Sequence, residues 1–139
     1  MYTGPTPHPS GMRRITKEFE KIQNDSQDFE VTTDANVPPT WNIKFKNLEE
    51  SKFTNGEANA LLYFPPEYPF KPPRIQFIPG IVHPNVTDDF IHGYVFANDW
   101  KPFIQICDVI RNVHNMLKCP IENPTAHAAR LATPWIVGN

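Results

Sequence analysis

The sequence predicts an α+β protein in which helices pack against one face or end of an antiparallel sheet. Three observations support this class: a helix-period segment near the start, four strand-like runs after it, and a return of helical spacing in the last third. The 139 residues suffice for one domain with its own core. We expect a single domain over residues 12–139, preceded by an extended, proline-rich arm over residues 1–11.

The first periodic segment indicates an amphipathic helix. Met12, Ile15, Phe19 and Ile22 recur at spacings of three and four among charged side chains. This pattern predicts a helix from Met12 to about Asp25.

Four runs predict strands, and the second shows the clearest pattern. Trp41, Ile43 and Phe45 alternate with polar residues, which is typical of a half-buried strand. Short connections between the runs favour an antiparallel meander. The predicted strands cover residues 29–33, 41–46, 58–64 and 74–78.

The second half of the chain begins without a regular period. Residues 79–104 predict a long irregular loop with at most short extended pieces, and such loops are usually functional. Apolar residues from Ile106 to Leu117 then recur at helical spacing, and Pro120 ends that helix. A weaker pattern from Pro124 to Ala132 predicts a third helix.

Composition excludes several classes of function. The 13 Lys+Arg and 15 Asp+Glu give a net charge of −2, so no basic field indicates nucleic-acid binding. No apolar stretch approaches the roughly 20 residues of a membrane span. Two cysteines and the absence of a signal-like start favour a reducing compartment, cytoplasmic or nuclear.

Three motifs carry a resemblance to a known family. Tyr68-Pro69-Phe70-Lys71-Pro72-Pro73, His83-Pro84-Asn85 and Trp100-Lys101-Pro102 occur in the order, and nearly the spacing, of the ubiquitin-conjugating enzyme family. The resemblance covers about residues 12–132. It implies the family fold: an N-terminal helix, a four-stranded antiparallel meander, an active-site loop and C-terminal helices, here with a short C-terminus.

The chain departs from the family at the residue that carries the modifier. The family carries ubiquitin as a thioester on a cysteine about eight residues after the Asn of His-Pro-Asn and about eight before the Trp. Counting forward from Asn85 gives Gly93, and counting back from Trp100 gives His92. Neither has a thiol, and an acyl-imidazole on His92 would be prone to hydrolysis. We expect His92 to be a loop histidine and no catalytic residue at this position.

The His-Pro-Asn segment permits two interpretations. Asn85 matches the family residue whose amide supports the oxyanion during transfer. The same amide can instead hold the loop through backbone hydrogen bonds, which we favour in the absence of a thiol. His83 would brace the same turn.

The two cysteines differ in their predicted roles. Cys107 lies on the predicted second helix, where a small buried hydrophobic residue is expected. Cys119 lies where that helix ends, and in the family the next loop borders the active site, so a relocated nucleophile is an alternative to a structural role. The His and Cys spacings match no zinc pattern, so we predict no metal site and no cofactor.

The resemblance also implies a surface for protein partners. In the family, the ligase-binding surface is built from the first helix and the two loops that correspond to Tyr68-Pro69-Phe70 and Trp100-Lys101-Pro102. An exposed Phe among cations would suit a protein interface, whereas the alternative places both Phe rings in the core. The candidate residues are Arg13, Arg14, Lys17, Phe70, Lys101, Pro102 and Phe103.

These observations predict a non-catalytic member of the family that acts by binding. Its partners would be ubiquitin or a ubiquitin-like modifier, an active conjugating enzyme, or a ligase, with no nucleic acid and no membrane. One alternative is an active conjugating enzyme that uses Cys119 or, less plausibly, Cys107 or His92. Another is a scaffold subunit outside ubiquitin pathways that keeps only the fold.

Overall fold

The structure is a computed structural model that describes residues 6–23, 28–34, 40–91 and 100–121. These residues form two helices and one antiparallel sheet, which confirms the predicted α+β class. The helices are α1 (Pro9–Ile22) and α2 (Ile106–Lys118). The strands are β1 (Phe29–Asp34), β2 (Thr40–Leu48), β3 (Gly56–Tyr63), β4 (Arg74–Phe77), β5 (Val86–Thr87) and β6 (Phe90–Ile91). The third predicted helix, over residues 124–132, lies outside the described ranges.

Helix α1 begins three residues earlier than its apolar pattern suggests. His8 is the N-cap, and its ring accepts a hydrogen bond from the Ser10 N–H. Pro9 occupies the first turn, where its missing N–H costs nothing and its fixed φ suits a helix. Residues 9–11 therefore belong to the helix and not to the predicted arm, of which residues 1–5 lie outside the described ranges. The helix also ends earlier than predicted, at Ile22 instead of about Asp25.

The sheet contains the predicted meander and one additional hairpin. Its strand order is β1-β2-β3-β4-β6-β5, and every pairing is antiparallel. Strands β5 and β6 come from the segment predicted to be irregular, and Phe90 of β6 pairs with Gln76 of β4. Two-residue strands are too short to show a hydrophobic period. The predicted four strands are thus extended by a hairpin that begins directly after the His-Pro-Asn motif.

The core lies on one face of the sheet, beneath both helices. Trp41, Ile43 and Phe45 of β2 are buried as their alternation predicts. The Trp41 ring makes edge-to-face contacts with Phe19 of α1 and with Phe64. Nearly the whole inner side of α2 is buried, namely Ile106, Cys107, Val109, Ile110, Val113, His114, Met116 and Leu117. Within the part of the chain that the structure describes, no helix is long and apolar enough to cross a membrane.

Candidate functional site

The His83 side chain attaches its loop to the end of α2. Its Nε2–H donates to Met116 O at 2.8 Å, and its Nδ1 accepts the Asn85 N–H at 3.0 Å. The two bonds together define a neutral ring with its proton on Nε2. Burial lowers the pKa of His83, and the bond to Met116 O partly opposes that shift. His83 is therefore a neutral brace, as the sequence suggests.

Asn85 is fully buried, and its amide is directed at a backbone segment beyond α2. The Nδ2 group donates to Ile121 O at 2.6 Å, while Oδ1 accepts the Ile121 N–H at 2.8 Å. The side chain thus satisfies both backbone polar groups of one residue. These two bonds are the bracing arrangement that the sequence suggests, because they hold the segment beyond α2 against the loop of Asn85.

The hairpin that follows Asn85 leads to the position of the family cysteine. Asp88 and Asp89 both have positive φ, at 51° and 70°, the pattern of a type I′ turn between β5 and β6. Strand β6 ends at Ile91. His92 and Gly93 lie outside the described residues, so the structure gives them no geometry, but no residue from 86 to 99 is a cysteine.

The two thiols occupy contrasting positions on α2. Cys107 is buried in the first turn of the helix, as predicted for a small hydrophobic residue. Cys119 is exposed at the C-terminal end, where its N–H donates to Asn115 O at 2.8 Å. It lies two residues before Ile121, which Asn85 holds. Cys119 is therefore an accessible thiol close in sequence to the anchored loop.

The second candidate site presents two phenylalanines on neighbouring turns. Phe70 is 76% exposed and Phe103 is 77% exposed, which excludes the alternative in which both rings pack in the core. Phe70 ends a turn in which its N–H donates to Glu67 O at 2.7 Å. Phe103 lies in a turn closed by the Ile104 N–H and Lys101 O at 3.0 Å. The Trp100 Nε1–H donates to Pro69 O at 2.9 Å and links the two turns.

The predicted cations divide into two kinds of residue. Arg13, Lys17 and Lys101 are exposed, as is Pro102. Arg14 is half-buried: its Nη2 donates to Ile104 O at 2.7 Å, and its guanidinium lies over the Tyr68 ring at 5.6 Å. Arg14 thus differs from the other three residues, because one of its donors is directed at the protein backbone.

Sequence reasoning assigned no role to Glu18. Its Oε2 accepts the Tyr68 hydroxyl at 3.1 Å and the Ile106 N–H, the first of α2, at 2.9 Å. Burial and the nearby Glu18 carboxylate raise the pKa of Tyr68, with Arg14 acting in the opposite direction. A charged residue on the half-buried side of an amphipathic helix, four positions after Arg14, was the available signal.

Relatives of known family match most of the chain. The family model described as "Ubiquitin-conjugating enzyme" matches residues 14–136. Ubiquitin-conjugating enzyme E2 1 of Caenorhabditis elegans is 32% identical over 123 residues, which cover 86% of this chain and 62% of that protein. Ubiquitin-conjugating enzyme E2 2 of Yarrowia lipolytica is 28% identical over 117 residues, 83% of this chain and 78% of that protein. The chain thus spans less than two thirds of the nematode relative.

Solved structures of ubiquitin-conjugating enzymes have a fold similar to that of this chain. A ubiquitin-conjugating enzyme E2 from Plasmodium falciparum superposes with a TM-score of 0.67 at 25% identity, covering 78% of this chain and 99% of the other. Human ubiquitin-conjugating enzyme E2 G1 superposes with a TM-score of 0.69 at 24% identity, covering 84% of this chain and 100% of the other. With this fold, and with the family model matched over residues 14–136, the chain belongs to the ubiquitin-conjugating enzyme family.

Proposed function

We propose that this chain acts in ubiquitin or ubiquitin-like conjugation as a non-catalytic binding protein, and that a ligase is its principal partner. The observation that carries the proposal is the exposure of Phe70 and Phe103, at 76% and 77%, on adjacent turns. Exposed aromatic rings among cations are typical of interface hot spots. Ubiquitin itself and an active conjugating enzyme are the other partners that family membership suggests.

The charges around the rings define the chemistry of the partner. Arg13, Lys17 and Lys101 are exposed basic residues: the first two are one helical turn apart on α1, and Lys101 lies in the turn that carries Phe103. A groove with an apolar floor and an acidic rim would complement this surface in both shape and potential. We define the partner surface as Arg13, Lys17, Phe70, Lys101, Pro102 and Phe103.

The chemistry of the loop supports a binding role over thioester transfer. Thioester transfer needs an accessible thiolate beside the residues that stabilise the transition state. The segment after Asn85 contains no sulfur up to Trp100, and the Asn85 amide is engaged with Ile121. Neither property hinders binding through the partner surface.

The test is binding of the intact chain to three purified probes by isothermal titration calorimetry. The probes are ubiquitin, an active conjugating enzyme, and the conjugating-enzyme-binding domain of a ubiquitin ligase. We expect the ligase domain to bind, and Phe70→Ala and Phe103→Ala each to weaken binding by more than about tenfold. Val82→Ala, which truncates another exposed apolar side chain, is the matched control and should bind normally.

Two results would contradict the proposal. If none of the three probes binds, the chain is not a binding protein of this pathway. If a probe binds but both Phe variants bind it as well as the Val82→Ala control does, the partner surface lies elsewhere.

A second candidate function rests on the exposed thiol of Cys119. A modifier bound as a thioester to an activating enzyme would transfer its acyl group to Cys119 Sγ and release the activating enzyme's thiol. The observation that favours it is that Cys119 is exposed two residues from the segment that Asn85 anchors.

Charging with activating enzyme, ATP and labelled ubiquitin distinguishes the two functions. A band on non-reducing gels that disappears with thiol, and with Cys119→Ala but not with Cys107→Ala, would identify an enzyme with a moved nucleophile. No such band from the folded chain is the result that a binding protein predicts.

A further inference from the structure

One carboxylate oxygen joins the two turns that carry the exposed phenylalanines. Glu18 Oε2 accepts the Tyr68 hydroxyl at 3.1 Å, and Tyr68 is two residues before Phe70. The same oxygen accepts the Ile106 N–H at 2.9 Å, and Ile106 is three residues after Phe103. A single acceptor on α1 therefore holds two segments that are distant in sequence.

Three further contacts strengthen this connection. Arg14, one helical turn before Glu18, donates to Ile104 O at 2.7 Å and lies over the Tyr68 ring at 5.6 Å. The Trp100 Nε1–H donates to Pro69 O at 2.9 Å. Each of the three segments, namely α1 and the two turns, is thus bonded to the other two.

The carboxylate also completes the start of α2. The N-cap residue Gln105 makes no side-chain capping bond, so the first N–H of the helix is satisfied by Glu18 instead. A negative charge is favoured at a helix N-terminus, where the backbone dipoles are positive. The charge on Glu18, and not only its shape, therefore fixes the turn that precedes α2.

We propose that Glu18 is a positioning residue that sets the relative placement of Phe70 and Phe103 for a ligase partner. The inference rests on the proposed function, since it names what controls affinity at the same surface. When the two rings are already held in place, the turns lose less conformational entropy on binding a partner, and the affinity is higher. Loss of the Glu18 bonds should leave the fold intact and let the two turns shift relative to each other, within the limits set by the remaining Trp100–Pro69 bond.

The variants are Glu18→Gln, which keeps the shape without the charge, and Glu18→Ala, which removes the acceptor of both bonds. Glu20→Gln is the matched control, because Glu20 is an exposed carboxylate on the same helix. Circular dichroism and urea unfolding establish that each variant is folded.

The first readout is the ¹H–¹⁵N spectrum of the free protein, which needs no partner. We expect Glu18→Gln to shift the Ile106 amide resonance upfield as its charge-assisted bond weakens. Resonances of residues 67–71 and 101–106 should broaden or shift together, more strongly in Glu18→Ala. The Glu20→Gln spectrum should be unchanged in both turns. Unchanged turn resonances in the folded Glu18→Ala variant would overturn the proposal.

The second readout is a double-mutant cycle for binding to the ligase domain. We expect Glu18→Gln to weaken binding about tenfold in the otherwise unsubstituted chain. It should have little further effect when both Phe70 and Phe103 are already alanine, because Glu18 acts through their placement. Equal effects in both backgrounds would contradict that mechanism.

The binding measurements distinguish the proposed function from the positioning role of Glu18. If the unsubstituted chain binds none of the three probes, the proposed function fails, and so does the role of Glu18 in affinity. If it binds the ligase domain, and Glu18→Gln binds equally well, the positioning role fails and the proposed function stands.

Discussion

Gly11 of α1 lies against the turn that carries Phe70. A Cβ added at Gly11 would lie 2.6 Å from Tyr68 O, a backbone atom that cannot move without shifting the turn. Helix propensity alone predicts that Gly11→Ala stabilises the protein by about 1 kcal/mol. We expect the opposite, a loss of about 1 to 3 kcal/mol, because the contact forces α1 away from the turn.

Urea unfolding measures this difference. Arg13→Ala, an exposed substitution on the same helix, is the control and should change stability by less than about 0.5 kcal/mol. If Gly11→Ala proved more stable than the unsubstituted chain, the expected clash between the added Cβ and Tyr68 O would be contradicted.

The hydrogen bonds of Asn85 also predict the effect of substituting it on stability. Asn85→Ala should cost about 2 to 4 kcal/mol in unfolding free energy, since Ile121 loses the partner of both its N–H and its carbonyl. Asn85→Asp keeps an acceptor for the Ile121 N–H but cannot donate to Ile121 O, so its loss should be intermediate. Asn112→Ala, at an exposed position on α2, serves as the reference. Equal stability of Asn85→Ala and this reference would remove the bracing role.

At the scale of single residues, burial was predictable from the sequence, whereas most side-chain hydrogen bonds were not. Alternation placed Trp41, Ile43 and Phe45 inside, and the usual burial of free cysteine placed Cys107 inside. It could not decide whether Phe70 and Phe103 are exposed, nor find the Glu18 bonds. Partners 50 and 88 residues apart leave no periodic signal in the chain.

Among the elements, the β5–β6 hairpin has an unfavourable turn sequence. Asp88 and Asp89 adopt positive φ without a glycine, although Asn-Gly and Asp-Gly are preferred in such turns. We expect Asp88→Asn to raise the unfolding free energy by about 0.5 kcal/mol, because Asn tolerates the left-handed region better and removes one of two adjacent negative charges. Asp88→Val, a β-branched residue at positive φ, should lower it by about 1 to 2 kcal/mol.

Thermal unfolding of the two variants checks the sign of each effect. Because the side chain of Asp88 is exposed, packing contributes little to either change. A more stable Asp88→Val variant would be inconsistent with the positive φ of this turn.

Element type was predictable, whereas element boundaries and pairings were less so. The spacings of apolar residues predicted α1, the four long strands and α2. The His8 cap and Pro9 in the first turn place the start of α1 before its first periodic apolar residue. A cap depends on backbone conformation and not on the hydrophobic period. The hairpin of β5 and β6 exists through its pairing with β4, a contact between distant segments.

At the scale of the whole molecule, His83 joins its loop to the end of α2 through Met116 O. We expect this connection to depend on pH. Burial holds the pKa of His83 below its unfolded value of 6.5, so the unfolded chain takes up this proton first as pH falls. The contribution of His83 to stability is complete above pH 6.5 and declines as pH falls below it. Protonation would also add a hydrogen at Nδ1, which accepts the Asn85 N–H.

Urea unfolding at pH 7.5, 6.5 and 5.5 tests this linkage. We expect the unfolding free energy to fall as pH is lowered, with a slope from His83 of at most about 1.4 kcal/mol per pH unit, the value for one proton. His83→Gln, which keeps a donor for Met116 O, should have a smaller slope and a lower stability at pH 7.5. Identical slopes for the two proteins would exclude His83 as the source.

The sequence by itself determined the class of the fold, the order of α1, β1 to β4 and α2, the core face of α1, β2 and α2, and the family resemblance of three motifs. These properties depend on local spacing and residue type, which the chain carries directly. The tertiary structure decided that Phe70 and Phe103 face outward, that Arg14 is directed inward, and that Asn85 binds Ile121. It also decided that Glu18 joins two turns. These facts arise from contacts between segments far apart in the chain, whose geometry exists only after the sheet and helices have packed.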